Sequence, residues 1–179
     1  MTSSRVVALR EAEERDWPSI WPFFAAIVAD GETYAYPQDL TSDAARGLWM
    51  EGAPGRCVVA VDADGAVLGS AKMGPNRPGR GAHVGTASFM VSPAARGLGV
   101  GRLLAEDAVQ WLRRSGFRGV QFNAVVETNA AAVRLWRSLG FEILGTVPEA
   151  FDSRTHGLVG LHVMYLDLDV DVDRGPDLD

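Results

Sequence analysis

The chain has 179 residues, of which 47% are hydrophobic and 22% charged, a composition that predicts one globular domain with a substantial core. Its net charge of −6 gives no electrostatic support for a nucleic-acid partner, and its one cysteine excludes an internal disulfide and a cysteine-rich metal site. No apolar run approaches the roughly 20 residues of a membrane helix, and the first residues lack the apolar core of a signal peptide. We therefore predict a cytoplasmic protein without a membrane partner.

The order of strand and helix patterns along the chain is typical of a mixed α/β domain. We expect an antiparallel front half, a β-α-β step in the middle and a closing hairpin whose strands are joined by a loop, all within residues 1–168. Residues 169–179 are acidic and contain Gly-Pro, so we predict a disordered tail there. The predicted strands are 5–11, 57–61, 66–73, 83–91, 120–126, 141–147 and 161–168, and the predicted helices begin at Asp16, at Thr41 or Ser42, near Gly99 and at Thr128 or Asn129.

The stretch 83–115 carries the clearest functional signal. Its apolar strand leads into RGLGVGR, and an amphipathic helix follows directly. Free N–H groups and the positive end of the helix dipole meet there, so Gly97, Gly99 and Gly101 predict a phosphate site. The loop lacks both the Gly-Lys-Ser/Thr of a Walker motif and the third glycine of a dinucleotide fingerprint. What remains is the pattern [QR]-x-x-G-x-[GA], formed by Arg96, Gly99 and Gly101.

This pattern resembles the acyl-CoA-binding loop of the GNAT N-acetyltransferase superfamily. A second block, NAAAVRLWRSLGF, is similar to the family's N-x-x-A-x-x-[LF]-[YW]-x-x-x-G-F and begins at Asn129. The resemblance implies an α/β (α+β) acyl-CoA N-acyltransferase fold with a twisted, mostly antiparallel sheet of about seven strands and about four flanking helices. The sheet of such a fold is splayed between its fourth and fifth strands. The resemblance also implies acetyl-CoA as acyl donor, and no metal.

For the acyl donor, the resemblance implies that main-chain N–H groups of the loop wrap the CoA phosphates. The pantetheine arm is expected to bond like an added strand to the backbone of the fourth strand, where an N–H polarises the thioester carbonyl. Asn129 contacts the cofactor, caps its helix, or does both. The expected cofactor-binding residues are Phe89, Met90, Val91, Arg96, Gly97, Leu98, Gly99, Val100, Gly101, Arg102, Asn129, Ala132 and Trp136.

The acceptor side resembles the branch of the family that contains the fungal proline-analogue N-acetyltransferases, through RPGRGAHV, QFNAVVETNAAAVRLWRSLGFEILGTVP and GETYAYP. This implies a small amine as acceptor, an amino acid or an analogue. Asn123 then orients the amine or stabilises the tetrahedral intermediate, unless it is an amide bonded to backbone. Thr86 stands where this branch often has asparagine, and backbone at Ala124 is expected to receive the substrate carboxylate.

The loop after the first helix and the loop before the fourth strand hold further candidates for the acceptor pocket. Tyr34 and Tyr36 either wall this pocket or anchor their loop to a neighbouring helix. Arg77 and Arg80 either pair with a substrate carboxylate or lie in solvent.

The proton-transfer groups are the least determined part of the site. Glu127, Glu32 and His83 are the candidates for a general base. Trp136 replaces a tyrosine that many members use as acid, so a water, Ser88 or another hydroxyl protonates the thiolate, or it leaves unassisted.

Alternative functions are the acetylation of a drug-like or protein amine, and a non-catalytic CoA-binding sensor. Members of the family are commonly dimers, so a homodimer is compatible with the resemblance.

Overall fold

The computed structural model describes residues 7–169, which form a seven-stranded sheet with helices on both faces. Neighbouring strands follow the order β1-β2-β3-β4-β5-β7-β6, and only β4 and β5 run parallel. The predicted fold class is confirmed. The strands are β1 (Ala8–Glu11), β2 (Arg56–Val61), β3 (Val67–Pro75), β4 (Val84–Val91), β5 (Gly119–Val126), β6 (Glu142–Ser153) and β7 (Gly157–Asp167), and the helices are α1 (Trp17–Asp30), α2 (Ser42–Trp49), α3 (Val100–Arg114) and α4 (Ala130–Ser138).

Two predictions reach beyond the described residues. Residues 5 and 6 of the first predicted strand lie outside them, and so do residues 170–179 of the predicted tail. Of the helices within residues 7–169, none is both long enough and apolar enough to span a membrane.

The sheet is splayed between β4 and β5, as the resemblance implies. The two strands pair only at their beginnings, where Val84 faces Gly119 and Gly85 faces Val120. Beyond that point β5 is held by β7 alone, and a bulge shifts their register between Phe122 and Val125. Because a bulge bends its strand and re-aims the side chains on it, this part of β5 turns away from β4 and opens the sheet.

The closing hairpin is longer than the sequence predicts. A loop was expected from residue 148 to His156, but β6 continues to Ser153 and β7 already begins at Gly157. Pro148 is unfavourable in the interior of a strand, since proline lacks the N–H that a strand interior needs. Here β6 is the edge strand, and its register with β7 shifts between Val147 and Phe151, so the proline falls within an irregularity of an edge strand.

The core lies on both faces of the sheet. Helices α1 and α2 pack their aromatic side chains on one face, whereas α3 and α4 cover the other. Trp49 of α2 has no exposed surface and donates its indole N–H to Ser70 on β3 at 2.9 Å. The Ser70 hydroxyl in turn donates to the C=O of Val58. Cys57 is buried beside Ser70, and burial raises the pKa of its thiol to about 11.

Asp16 is the N-cap residue of α1, at the predicted start of the helix, but its side chain makes no capping hydrogen bond. Its buried carboxylate accepts two hydrogen bonds of 2.7 Å from the guanidinium of Arg10 and one of 2.8 Å from the N–H of Glu13. The bond from Arg10 is the main reason why the pKa of Asp16 lies below its ordinary value. The carboxylate therefore ties β1 to the turn that precedes α1.

We expect Asp16→Asn to lower the free energy of unfolding by about 2 kcal/mol at pH 7, because charge-assisted hydrogen bonds are lost. The native pKa lies below the unfolded value, so this stabilisation is complete above the unfolded pKa of about 3.9 and disappears as the pH falls through the native pKa. Urea unfolding at pH 7 and at pH 3 tests this, with Asp64→Asn on an exposed turn as control. A difference between wild type and Asp16→Asn that stayed constant over this range would contradict the assignment.

Candidate active site

A cleft of about 450 Å³ opens where β4 and β5 separate. Residues of the segment 33–36, of the first turn of α3 and of α4 complete its wall, which is mostly apolar. It brings together predicted residues from both the donor and the acceptor sides. The predicted site residues that line it are Tyr34, Tyr36, Thr86, Phe89, Val91, Gly101, Asn123, Ala124, Asn129, Ala132 and Trp136, and Ser88 lies among them.

Every second residue of β4 points its backbone groups into this cleft. The N–H of Ser92 donates to the C=O of Leu68 on the β3 side, and the pairing of β3 with β4 shows no register shift. Because backbone direction alternates along an antiparallel pair, the even-numbered residues of β4 bond to β3. Phe89 and Val91 therefore face the cleft. Met90 is turned towards β3 with its side chain in the core, so it does not offer the backbone contact that was expected.

The hydroxyl of Tyr34 is hydrogen-bonded to both backbone groups of Phe89. It donates to the C=O of Phe89 at 2.6 Å and accepts the N–H of the same residue at 3.0 Å, in place of a strand partner. Its ring stacks on Tyr36 with centroids 5.5 Å apart, and Trp49 meets it edge-on. Burial raises the pKa of both tyrosines above the ordinary value of 10, so both hydroxyls stay protonated near neutral pH. The two tyrosines thus both line the cleft and anchor their loop.

The glycine loop forms the N-terminus of α3, at one end of the cleft. Gly97 and Gly99 have φ of 78° and 76°, a left-handed conformation that favours glycine, and Gly99 is the N-cap residue. A Cβ atom added to either would meet nothing within 4 Å, so the space beside the loop is open. The N–H groups of the first helical turn, including that of Gly101, have no partner within the helix. Val100 contributes only backbone, because its side chain is buried in the core.

The two arginines of the loop differ in what they contact. Arg96 is exposed and lines a second cavity of about 330 Å³, together with Asn129. Arg102 donates to Ser138 of α4 at 2.7 Å and to Glu106 at 3.2 Å, so its guanidinium links α3 to α4. Of the two side chains, only that of Arg96 lines a cavity, whereas the guanidinium of Arg102 is already hydrogen-bonded.

Helix α4 supplies an amide and an aromatic wall. The side-chain oxygen of Asn129 accepts the N–H of Ala132 at 3.2 Å, which makes it the N-cap, and Asn129 lines both cavities. Its amide nitrogen has no hydrogen-bond partner among residues 7–169. Trp136 is buried and packs against Phe89 and Phe122, with ring centroids 4.9 and 4.8 Å away. Asn129 can therefore cap the helix and still donate to a ligand, whereas Trp136 forms an apolar wall.

Asn123 lies in the β5 bulge and belongs to a cluster of amides. Its oxygen accepts from Gln121 at 2.8 Å and from Asn76 at 3.3 Å, and its nitrogen donates to the oxygen of Asn76 at 2.6 Å. Asn123 is therefore bonded to side chains, and the alternative of an amide bonded to backbone does not hold. Thr86 and Ala124 line the same cleft.

None of the three candidate bases lines the cleft. Glu127 accepts the N–H of Gly160 and does not line the cleft. Glu32 accepts hydrogen bonds from Ser153 and Thr155, which lower its pKa. His83 is exposed and also lies outside the cleft. None of the described residues that line the cleft carries a carboxylate or an imidazole, so no general base is found there.

Arg77 and Arg80 are exposed and outside the cleft wall, but Arg77 lies next to the amide cluster. One of its terminal nitrogens is 3.0 Å from the main-chain oxygen of Asn76 and 3.4 Å from the side-chain oxygen of the same residue. Within residues 7–169, no group of three or more His, Cys, Asp or Glu side chains could hold a metal ion.

Sequence reasoning missed Asn76 and Gln121, although both contact Asn123. Gln121 stands two residues before Asn123 on the predicted fifth strand, and period-2 spacing could have placed the two side chains on one face. Asn76 could not be found in this way. It follows β3 in a Gly/Pro/Arg-rich segment and meets Asn123 only because the splayed strands bring them together.

Comparisons with known proteins place these features in context. The chain matches the acetyltransferase (GNAT) family over residues 7–141. A GCN5-related N-acetyltransferase from Kribbella flavida has a structure that superposes with a TM-score of 0.88, at 62% identity over 90% of this chain and 97% of that chain. An L-methionine sulfoximine/L-methionine sulfone acetyltransferase of Pseudomonas paraeruginosa is 35% identical over 79% of this chain and 84% of its own length. N-acetyltransferase aca1 of Schizosaccharomyces pombe is 36% identical over 58% of this chain. The match covers only 50% of the length of that relative.

Proposed function

Because the chain belongs to the GNAT acetyltransferase family, we propose that it is an N-acetyltransferase that transfers the acetyl group of acetyl-CoA directly to a small amine. The acceptor is an amino acid or an amino-acid analogue. One observation carries this proposal: a single cleft runs from the N-terminus of α3, which suits a phosphate, to the amides around Asn123, which suit a polar acceptor.

The residues at the donor end fit acetyl-CoA, which supplies the acetyl group as a thioester. The N–H groups at the N-terminus of α3 and the open space beside Gly97 and Gly99 suit the pyrophosphate. Arg96 adds positive charge there, and the amide nitrogen of Asn129 is available as a donor. The backbone of Phe89 and Val91 faces the cleft at the place where the pantetheine arm is expected.

Main-chain and hydroxyl donors supply the polar chemistry of the cleft. The N–H of Phe89 is the donor best placed to polarise a thioester carbonyl, a role that requires the Tyr34 hydroxyl to give it up. Because burial raises the pKa of Tyr34, this hydroxyl stays protonated and does not supply a phenolate base. Ser88 is a second hydroxyl in the wall and remains the candidate acid for the departing thiolate.

The acceptor amine must lose its proton to solvent, since no carboxylate or imidazole is found among the described residues of the cleft wall. This neutral wall gives little support for a polyamine, which would favour acidic side chains. An uncharged wall with amide donors suits an amino acid, and the Pseudomonas relative is named for acetylation of two methionine analogues.

The test is CoA release by the full chain with acetyl-CoA and a panel of acceptors: amino acids, methionine sulfoximine, proline analogues, a polyamine and a short peptide. We expect saturable turnover with one or more amino acids or analogues and at least about tenfold lower kcat/KM with the polyamine, a difference of about 1.4 kcal/mol in the barrier. Trp136, in place of an acidic tyrosine, favours the rival function of a CoA-binding sensor. Saturable CoA binding without turnover of any acceptor would establish that rival.

A further inference from the structure

The amides of Asn76, Gln121 and Asn123 form a closed set of hydrogen bonds at the acceptor end of the cleft. Asn123 is the member that lines the cleft, and it makes three of these bonds. Such a set can exist in two forms, because exchanging oxygen and nitrogen in all three amides leaves every bond paired. In one form Asn123 has an N–H left over, and in the other it has a lone pair left over.

Arg77 selects between the two forms. Its guanidinium nitrogen lies 3.4 Å from the Asn76 side-chain atom that also faces the Asn123 amide. A guanidinium only donates, so this atom of Asn76 has to be the oxygen. Asn123 must then present its nitrogen to Asn76, at 2.6 Å, and its oxygen to Gln121, at 2.8 Å.

The hydrogen-bonding capacity of Asn123 follows from this orientation. An amide oxygen has two lone pairs, and both are used here by Gln121 and Asn76. The amide nitrogen has two protons, and only one is used, by Asn76. The second N–H has no partner among the described residues. Asn123 can therefore donate into the cleft, but it cannot accept from an ammonium group.

We infer that Asn76, Gln121 and Arg77 are positioning residues that hold Asn123 as a donor to a negatively charged oxygen. That oxygen is either the carboxylate of the acceptor or the oxyanion that forms at the acetyl carbon when the amine attacks. This inference rests on the proposed function and makes it more specific. If the oxygen is the carboxylate, the acceptor site takes molecules with an anionic oxygen close to the amine. In both cases Asn123 does not recognise the amine itself.

Two variants that add the same negative charge to the same cluster test this. In Gln121→Glu the new carboxylate can only accept, so Asn123 must turn its nitrogen towards residue 121 and its oxygen into the cleft. In Asn76→Asp the donor of the 3.3 Å bond to the oxygen of Asn123 is lost. The new carboxylate still accepts from the nitrogen of Asn123 at the shorter contact of 2.6 Å, and Arg77 pairs with it, so the orientation is kept. We expect Gln121→Glu to lose at least tenfold in kcat/KM, close to the loss in Asn123→Ala, and Asn76→Asp to stay within threefold of wild type.

The pH dependence gives a readout that a merely structural role would not move. Lowering the pH protonates residue 121 of Gln121→Glu, which restores a donor, so its activity relative to wild type is expected to rise as the pH falls. Gln121→Met removes the donor to Asn123 without introducing an acceptor that inverts the amide. Its loss in kcat/KM is expected to be smaller than that of Gln121→Glu and the same at every pH, and wild-type activity in this variant would show that Gln121 does not position Asn123, which keeps the test valid if the acid folds poorly. Equal losses in Gln121→Glu and Asn76→Asp, or equal retention of activity in both, would overturn the inference.

A pair of acceptors distinguishes a role towards the acceptor carboxylate from a role towards the oxyanion. For an amino acid and its decarboxylated amine, a role towards the carboxylate predicts that Gln121→Glu raises KM for the amino acid and leaves the amine unaffected. A role towards the oxyanion predicts an equal fall in kcat for both. No effect on either acceptor refutes the inference, whereas the absence of turnover by wild type refutes the proposed function instead.

Discussion

Gly101→Val is expected to weaken acetyl-CoA binding by about thirtyfold, or about 2 kcal/mol, while the protein stays folded. A Cβ atom at Gly101 meets only a methyl group of Val91, at 3.7 Å, which is ordinary contact, so the fold can accept the side chain. The added methyl groups, however, occupy the end of the cleft and shield the N–H groups of the first turn of α3. Calorimetric titration with acetyl-CoA measures the effect.

The matched control for this substitution is Gly47→Val in α2. Gly47 is also a helical glycine with open space around it, but it lies outside both cavities. Its acetyl-CoA affinity is expected to equal that of wild type. Arg96→Ala, which removes charge and leaves the backbone alone, is expected to have a smaller effect than Gly101→Val. If Gly101→Val bound acetyl-CoA as wild type does, the first turn of α3 would not be the pyrophosphate site.

Trp49→Ala is expected to lower the free energy of unfolding by roughly 3–5 kcal/mol, because a large, fully buried side chain leaves a cavity behind. For a chain of this length that corresponds to a fall in Tm of roughly 10 °C. Trp49 also packs between Phe24 and Tyr34, so its loss removes support from the loop that carries the Tyr34 hydroxyl. Urea unfolding monitored by circular dichroism gives the stability.

Two variants separate the causes of this effect. Trp49→Phe keeps most of the ring and removes the N–H donor to Ser70, which is expected to cost about 1 kcal/mol. Trp21→Ala removes a half-buried tryptophan from the same aromatic cluster and is expected to cost less than Trp49→Ala. A loss in Trp49→Ala no larger than that in Trp21→Ala would show that Trp49 is not central to the core.

The glycine loop at the N-terminus of α3 could be predicted from the sequence because its signals are local. A strand, a glycine loop and a helix follow one another within the stretch 83–115, and helix geometry fixes the direction of the loop N–H groups. The backbone contacts at Phe89 and Val91 depend on strand pairing, however. Which residues of β4 face the cleft follows only from the register with β3, and this is why Met90 was grouped with them.

The acceptor end could not be predicted in the same detail, since its contacts join residues far apart in the chain. The Tyr34 hydroxyl meets the backbone of Phe89, 55 positions away, and the amide of Asn76 meets that of Asn123, 47 positions away. The expectation that Glu127 acts as the general base is not supported, for a related reason. Its position at the end of β5 is as predicted, but the neighbouring β7 offers the N–H of Gly160 to its carboxylate.

The burial of Cys57 makes the chain a convenient host for site-specific labelling. It is the one cysteine of the sequence, and burial both shields its thiol from reagents and raises its pKa to about 11. Because the thiolate is the reactive form, maleimide dyes should leave Cys57 untouched. A cysteine introduced at Ala35, between the two tyrosines of the cleft wall, would then carry the only fluorophore. Its emission would report whether this loop moves when acetyl-CoA is added.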